Sequence, residues 1–184
     1  RTGQSVLISD MDHVRHVRSL SATDDGRVLA SCDWNGSIGV WKFNGDEKSF
    51  SKIDPKALPV FVDLSDDGKR MLVGTESFPD ENLKSQILLY DVESTPPRRL
   101  SQRVVPQDVR AGVIDQDHRQ AIVAQGVHVE VYTYDAEGKF LKEDPKYLTV
   151  PVQPVRHVAF AKDNGSYKIA FGWKGDGKGG TKLE

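Results

Sequence analysis

The sequence predicts an all-β protein assembled from repeats of a four-stranded antiparallel unit. Three observations carry this. Short apolar runs alternate with Gly-, Asn- and Asp-rich turns along the whole chain. A polar turn built on Asp follows the first run of every repeat. Aromatic residues close the third run in successive repeats, and Trp41, Tyr90 and Tyr132 lie 49 and 42 residues apart, near the roughly 40 to 45 residues of a four-stranded repeating unit.

The clearest unit spans 13–41, HVRHVRSLSATDDGRVLASCDWNGSIGVW. Val17, Leu20 and Ala22 mark a first strand, Asp24-Asp25-Gly26 turns the chain, and 28–32 forms a second strand. Asn35-Gly36 predicts a two-residue hairpin, because both residue types tolerate the positive φ such a turn needs. The third strand is 38–41, and after a turn at Asn44-Gly45-Asp46 an outer fourth strand follows at 50–53. The second unit repeats these landmarks at 62–64, Asp66-Asp67-Gly68 and 71–74, then, after an insertion at 76–86, at 87–91 with 98–105 outermost. The third runs through 109–114, a polar turn at 115–119, 121–124, Gly126 as turn residue and 129–132, with 140–150 outermost. The fourth begins at 155–160, turns at Asp163-Asn164-Gly165 and continues at 168–173, and 181–184 would start its third strand. The opening 2–9 reads as the outer strand of a preceding unit.

His13, Val17 four residues later, an Asp-Gly turn, Leu29-Ala30-Ser31, an Asn-Gly turn and a closing Val40-Trp41 resemble a WD40 repeat. The resemblance is strong over 13–41 and weaker in the later units. It implies a WD40-type β-propeller of four-stranded antiparallel blades around a central channel, incomplete in this chain. The segment divides as 1–12, outer strand of a preceding blade; 13–53, blade 1; 54–105, blade 2; 106–150, blade 3; and 151–184, a partial blade 4. Propellers have about four to eight blades, and an open stack leaves apolar end faces bare. A larger propeller is therefore expected, completed by more of the same polypeptide, a second chain or a symmetry mate. A four-bladed ring closed by the N-terminal strand and 155–184 is the alternative.

Composition suits a globular β protein: 38% hydrophobic and 28% charged residues leave enough for a core. A net charge of −2 gives no bulk drive toward nucleic acid or membrane, so neither is expected as a partner. Cys32 alone excludes an internal disulfide and fits a reducing compartment, and a cytoplasmic location is expected. No apolar run approaches the roughly 18 residues of a membrane span.

Little points to chemistry. His13, His16, His118, His128 and His157 have no compact ligand spacing and one cysteine makes no zinc cluster, so no metal is expected, a composite His site between blades being the alternative. The Asp-Asp-Gly segments read as turns rather than calcium loops. Residues 172–180, GWKGDGKGG, lack the Lys-Ser or Lys-Thr ending of a phosphate-binding loop. No nucleophile, base and orienting residue can be assembled, so the expectation is no enzyme and no cofactor.

The resemblance implies roles for particular residues. His13, Ser31, Asn35 and Trp41 match positions of a structural hydrogen-bond network, weakened here because Asn35 stands where Asp is usual; Pro55 and Pro151 occupy the His place in blades 2 and 4. Aligning the blades on their first apolar position gives Val17-Arg18, Pro59-Val60, Val109-Arg110 and Val155-Arg156. Three of the four repeats thus carry arginine at the position that the resemblance places near the top entrance of the channel, a surface such proteins commonly use for binding. Arg18, Arg110 and Arg156, with His16 and His157 beside them, would form a positive patch suited to carboxylate or phosphate. Trp34 corresponds to another top-face position and is a good anchor residue. The alternative is that each arginine pairs with an acid such as Asp33 or Asp108 while Trp34 packs on the adjacent loop. The insertion at 76–86 should project from the same face. These readings favour a non-enzymatic interaction scaffold that binds a protein or peptide partner, acidic or phosphorylated. A regulatory or sensor module of a larger multidomain protein is the alternative, and a channel enzyme or small-molecule binder is a third class.

Overall fold

The computed structural model describes residues 16–45, 47–77, 84–143, 145–148, 155–163, 166–173 and 182–183, with the backbone alone for most of the last three stretches. Among them every regular element is a β-strand, in four antiparallel sheets that follow chain order. The first sheet holds β1 (Val17–Ala22), β2 (Val28–Asp33), β3 (Ile38–Asn44) and β4 (Glu47–Ile53). The second holds β5 (Leu58–Leu64), β6 (Arg70–Glu76), β7 (Gln86–Asp91) and β8 (Arg98–Val104). The third holds β9 (Val109–Asp115), β10 (Gln120–Gln125), β11 (His128–Thr133) and β12 (Lys146–Leu148). The fourth holds β13 (Val155–Asp163), β14 (Ser166–Trp173) and β15 (Lys182–Leu183). No helix of the described residues is long and apolar enough to cross a membrane.

Burial explains why these strands read as they do. The middle strands are buried along nearly their whole length, as at Met71 to Thr75 in β6 and Ile87 to Tyr90 in β7, because both pleat faces meet a neighbouring sheet. The outer strands β4 and β8 are largely exposed and carry Lys48, Lys52, Arg98 and Arg99. Strands β1 and β2 pack on β5, β5 and β6 on β9, and β9 and β10 on β13. The first seam is filled by Ala30, Cys32, Ile38 and Val40 against Val62, Leu64, Met71 and Val73. In the second, Leu72, Ile87 and Leu89 meet Ile114, Ala121, Val123 and Tyr132, with Phe61 among them. The third seam sets Ile122, Ala124, Val129 and Val131 against Val158.

Phe61 needs two glycines. A Cβ on Gly112 would lie 2.5 Å from its ring, and one on Gly74 closer still, so the ring enters a slot that any larger residue would close. Along the innermost strands the seams are also tied by side chains. Ser19 Oγ accepts from the Val62 amide at 3.2 Å, and Ser21 Oγ accepts from the Leu64 amide at 3.0 Å while donating to Asp63 Oδ1 at 3.2 Å. The other Asp63 oxygen accepts from the Ile114 amide at 2.8 Å. Asp63 thus links its own sheet to the two on either side, and burial pushes its carboxyl up to about 6.

The acidic turns are turns. Asp25 accepts from Thr23 Oγ1 at 2.7 Å and the Arg27 amide at 2.9 Å, and Asp67 repeats this with Ser65 at 2.7 Å and Lys69 at 3.0 Å. Gly26 and Gly68 supply the positive φ, at 70° and 68°.

Three expectations need correction. In the β2–β3 turn only Gly36 takes positive φ, and the link is longer than two residues, because the Asp33 carboxylate accepts from the amides of Asn35 at 2.8 Å and Ser37 at 3.0 Å. Strand β4 starts at Glu47, ahead of the expected 50, since β3 also runs on to Asn44 and the two pair to the end of a tight hairpin. The outer strand expected at 140–150 reduces to Lys146–Leu148. Phe140 instead forms a lone bridge with Tyr134 around the Gly138 turn and drops its ring into the second seam. The strand expected at 2–9, with the rest of 1–12, lies outside the described residues.

Candidate functional site

In an antiparallel sheet the start of the first strand and the end of the second meet at one edge. That edge carries Val17 with Asp33, Pro59 with Thr75, Val109 with Gln125, and Val155 with Trp173. It forms a common rim. In every sheet the pairing skips the next residue of the inner strand, so Arg18, Val60, Arg110 and Arg156 each occupy a β-bulge. A bulged residue has no cross-strand partner and its side chain is re-aimed. The arginine recurrence of the sequence is a recurrence of bulges.

The rim treats two of these arginines differently. Arg18 is 11% exposed and forks onto Glu76 of the next sheet, with Nη1 2.6 Å from Oε1 and Nη2 3.4 Å from Oε2. Its guanidinium carbon also lies 4.0 Å from the centroid of the Trp34 ring. Trp34 is 52% exposed, and its amide donates to the His16 carbonyl at 3.1 Å. Arg18 therefore staples the first seam, and its acid is Glu76 rather than Asp33. Arg110 is 47% exposed, and its Nη2 lies 3.8 Å from Asp108 Oδ2. The other Asp108 oxygen accepts from Ser77 Oγ at 2.7 Å and Ser85 Oγ at 3.2 Å. The Ser77 bond, against a weaker opposing effect of burial, holds the Asp108 carboxyl below its usual range.

The register explains the contrast. The residues that follow the rim pairs on β2, β6 and β10 are Trp34, Glu76 and Gly126. Arg18 lies between its own sheet's Trp34 and the next sheet's Glu76. Arg110 has Gly126 in place of the ring.

Beside Arg110 the rim opens into a cavity of about 500 Å³, lined by both ends of the β6–β7 connection, the end of β8 and the β8–β9 link. Val104, 52% exposed, and Pro106 give it an apolar floor, and Lys84 and Asp108 charge its edge. Residues 78–83 of the insertion lie outside the described residues.

Other expected residues are placed as follows. Ser31 and Trp41 are buried, at 0% and 1% exposure. Asn35 is exposed, and the buried carboxylate of its turn is Asp33. His13 lies outside the described residues, as do the side chains of Arg156 and His157, although the latter pairs through its backbone with Gly172. His16 is exposed. Among the described residues no three His, Cys, Asp or Glu side chains group as a metal cluster would require.

Sequence reasoning missed a polar trio in the second seam. Gln125 Nε2 donates to Glu130 Oε2 at 2.9 Å and to Tyr132 Oη at 2.7 Å, and the Tyr132 hydroxyl donates to Glu130. All three are buried. Arg103 lies 5.1 Å from the Tyr132 ring centroid and donates to the Leu141 carbonyl at 2.5 Å. A glutamate inside the otherwise apolar run 129–132 was the available signal.

No family model matches the chain. It is 26% identical over 117 residues to periodic tryptophan protein 2 of Saccharomyces cerevisiae, a match covering 64% of this chain and 12% of that protein. Among solved structures it resembles the RRP9 WD40 repeats, with a TM-score of 0.62 and 18% identity over 85% of this chain and 48% of that one. It also resembles the computationally designed protein Ika4, with a TM-score of 0.65 and 14% identity over 98% of both chains. The chain thus spans about an eighth of its curated relative and about half of the RRP9 structure. At these identities the likenesses speak to architecture. Four-stranded antiparallel sheets stacked in chain order, each closing its third strand with a buried aromatic, give this chain the fold of the WD40-repeat β-propellers.

Proposed function

We propose that this chain is a non-enzymatic protein-interaction module that receives a partner segment on the rim bearing its β-bulges. The observation that carries the reading is the placement of Arg110 and Trp34, both half exposed, on one rim built by the same register skip in each sheet. Loops and strand ends held by a rigid scaffold are where recognition is commonly placed. An exposed aromatic and a guanidinium short of strong partners are effective anchors. Arg156, His157 and His16 extend the same rim in sequence register, and an acidic or phosphorylated segment suits the half-exposed guanidinium of Arg110 there. Arg18 belongs to the rim as the support under Trp34.

A second reading has its own observation. The chain matches 12% of the length of its curated relative, which favours a propeller module within a longer, multidomain protein whose further blades complete the ring. The two readings agree at the rim. A cytoplasmic setting, where the buried thiol of Cys32 stays reduced, suits both.

The test is affinity capture with the wild-type chain and with Trp34→Ala and Arg110→Glu, each checked for an unchanged melting temperature. Partners held by the wild type and lost from both variants support the reading. Identical partner sets for all three proteins would overturn it.

A further inference from the structure

Beyond that reading, we infer that Ser101, on the outer strand β8, is a phosphorylation site for an arginine-directed serine kinase, and that the phosphate releases the turn at 138–141 from the second sheet. The strand carries Arg98-Arg99-Leu100-Ser101. Two guanidiniums two and three positions before a hydroxyl make a charge pattern that an acidic substrate groove reads through paired ion contacts.

The fold presents this pattern at an edge. Arg98 and Arg99 are exposed, and β8 ends its sheet, paired with β7 alone among the described residues. Its backbone is already extended, so the four residues lie in line as a groove would receive them. Ser101 pairs with Leu89 and Arg99 with Tyr90, which leaves Leu100 as a β-bulge directly before the hydroxyl. A bulge disrupts the ladder locally, and edge segments open at lower free energy than core strands. The acceptor hydroxyl thus belongs to a weakly paired part of the sheet.

The same hydroxyl has a task that phosphate would end. Ser101 Oγ accepts from the Phe140 amide at 3.1 Å. One residue earlier, Leu100 packs on the backbone of the same turn, where a Cβ on Gly138 would lie 2.5 Å from Leu100 Cδ1. Two residues later, Arg103 Nη1 donates to the Leu141 carbonyl at 2.5 Å. Strand β8 therefore clasps 138–141 at three points, and the Phe140 ring behind the clasp is buried in the second seam. In the kinase reaction the Ser101 oxygen attacks the γ-phosphorus of ATP. The new O–P bond forms as the bond from that phosphorus to the β,γ-bridging oxygen breaks, ADP leaves, and the hydroxyl proton passes to the kinase's catalytic carboxylate. Ser101 is only partly exposed, with its oxygen in hydrogen-bond contact with the turn. A tetrahedral group of roughly two negative charges has no room there while the turn is in place, so seating it displaces the Phe140 amide and moves the turn outward.

The experiment incubates the whole folded chain with MgATP and the catalytic subunit of cAMP-dependent protein kinase, and locates phosphate by peptide mass mapping. The expected result is phosphate on Ser101 of the wild type, with incorporation there slowed about tenfold or more in Arg98→Gln combined with Arg99→Gln. Both arginines are exposed, so that variant should keep the wild-type melting temperature. In the phosphorylated wild type, amide hydrogen exchange across 138–141 should be about tenfold faster and the melting temperature lower by about 3 °C. Ser101→Ala should show the same exchange before and after kinase treatment, which ties the change to this one hydroxyl. Phosphate on a free peptide of residues 95–105 but none on Ser101 of the folded chain would overturn the inference. Incorporation indifferent to the two arginines, or unchanged exchange at 138–141 once Ser101 is phosphorylated, would do so as well. These outcomes are read on β8 and its clasp, and the capture experiment on the rim stands or falls separately.

Discussion

The first and second seams are built from the same repeat and differ in what each leaves open. In the first, apolar side chains fill the interior and Arg18, Glu76 and Trp34 close the rim. In the second, an aromatic ring in a glycine slot and a buried polar trio fill the interior, while Arg110 lies 3.8 Å from a carboxylate already engaged by two serines. One arginine position serves two ends. What decides is the residue that follows the rim pair on the second strand, in its own sheet and in the next.

This contrast can be broken from the interior outward. Phe61→Ala should cost the most, about 3–5 kcal/mol in urea unfolding, because the two glycines that admit the ring cannot refill the slot. A loss below about 1 kcal/mol would mean that the ring does not hold the second seam.

The next effect belongs to Asp63. Its folded-state pKa of about 6 lies above the ordinary value of an unfolded chain, so between these two values the folded state holds the extra proton. Stability is therefore greatest below about pH 4 for this group and falls as pH rises through about 6, by on the order of 2–3 kcal/mol. Asp66 adds to the upward push, and the bonds from Ile114 and Ser21 oppose it. Asp63→Asn should flatten this part of the pH profile; thermal unfolding between pH 4 and 7.5 checks it, and an unchanged slope would count against the assignment.

The smallest effects separate the two arginines. Arg18→Ala should destabilise by about 1–2 kcal/mol, losing a part-buried forked pair and a ring contact. Arg110→Ala should stay within about 0.5 kcal/mol, as exposed pairs do. Equal losses in chemical denaturation would erase the distinction between the two ends of the rim.

Much of the fold was legible because both faces of a middle strand are buried, so 71–74, 87–91 and 121–124 read as apolar runs with turns at each end. The outer strand of the third sheet was not, since its run combines a core aromatic, Phe140, with a short edge segment beyond Pro145, and hydropathy cannot tell a ring entering a seam from a strand. Asn35-Gly36 looked like a complete turn signal. The amides it presents are instead held by Asp33, two residues earlier. At the rim, the arginine recurrence was visible by alignment and the nearby acid Asp108 was named with it. Glu76 as the partner of Arg18 was not, because 58 positions separate them and only the stacking of one sheet on the next brings them together.

The serine and aspartate bonds along the inner strands give each repeat an address. Ser19 and Ser21 answer amides of the second sheet, and Asp63 answers an amide of the third. The aligned position of the third sheet, Val113, has no group with which to answer the fourth in kind. Repeats that share one outline are thereby not interchangeable. A chimera that exchanged the second and third would keep every strand and yet set valine where a carboxylate spans two seams.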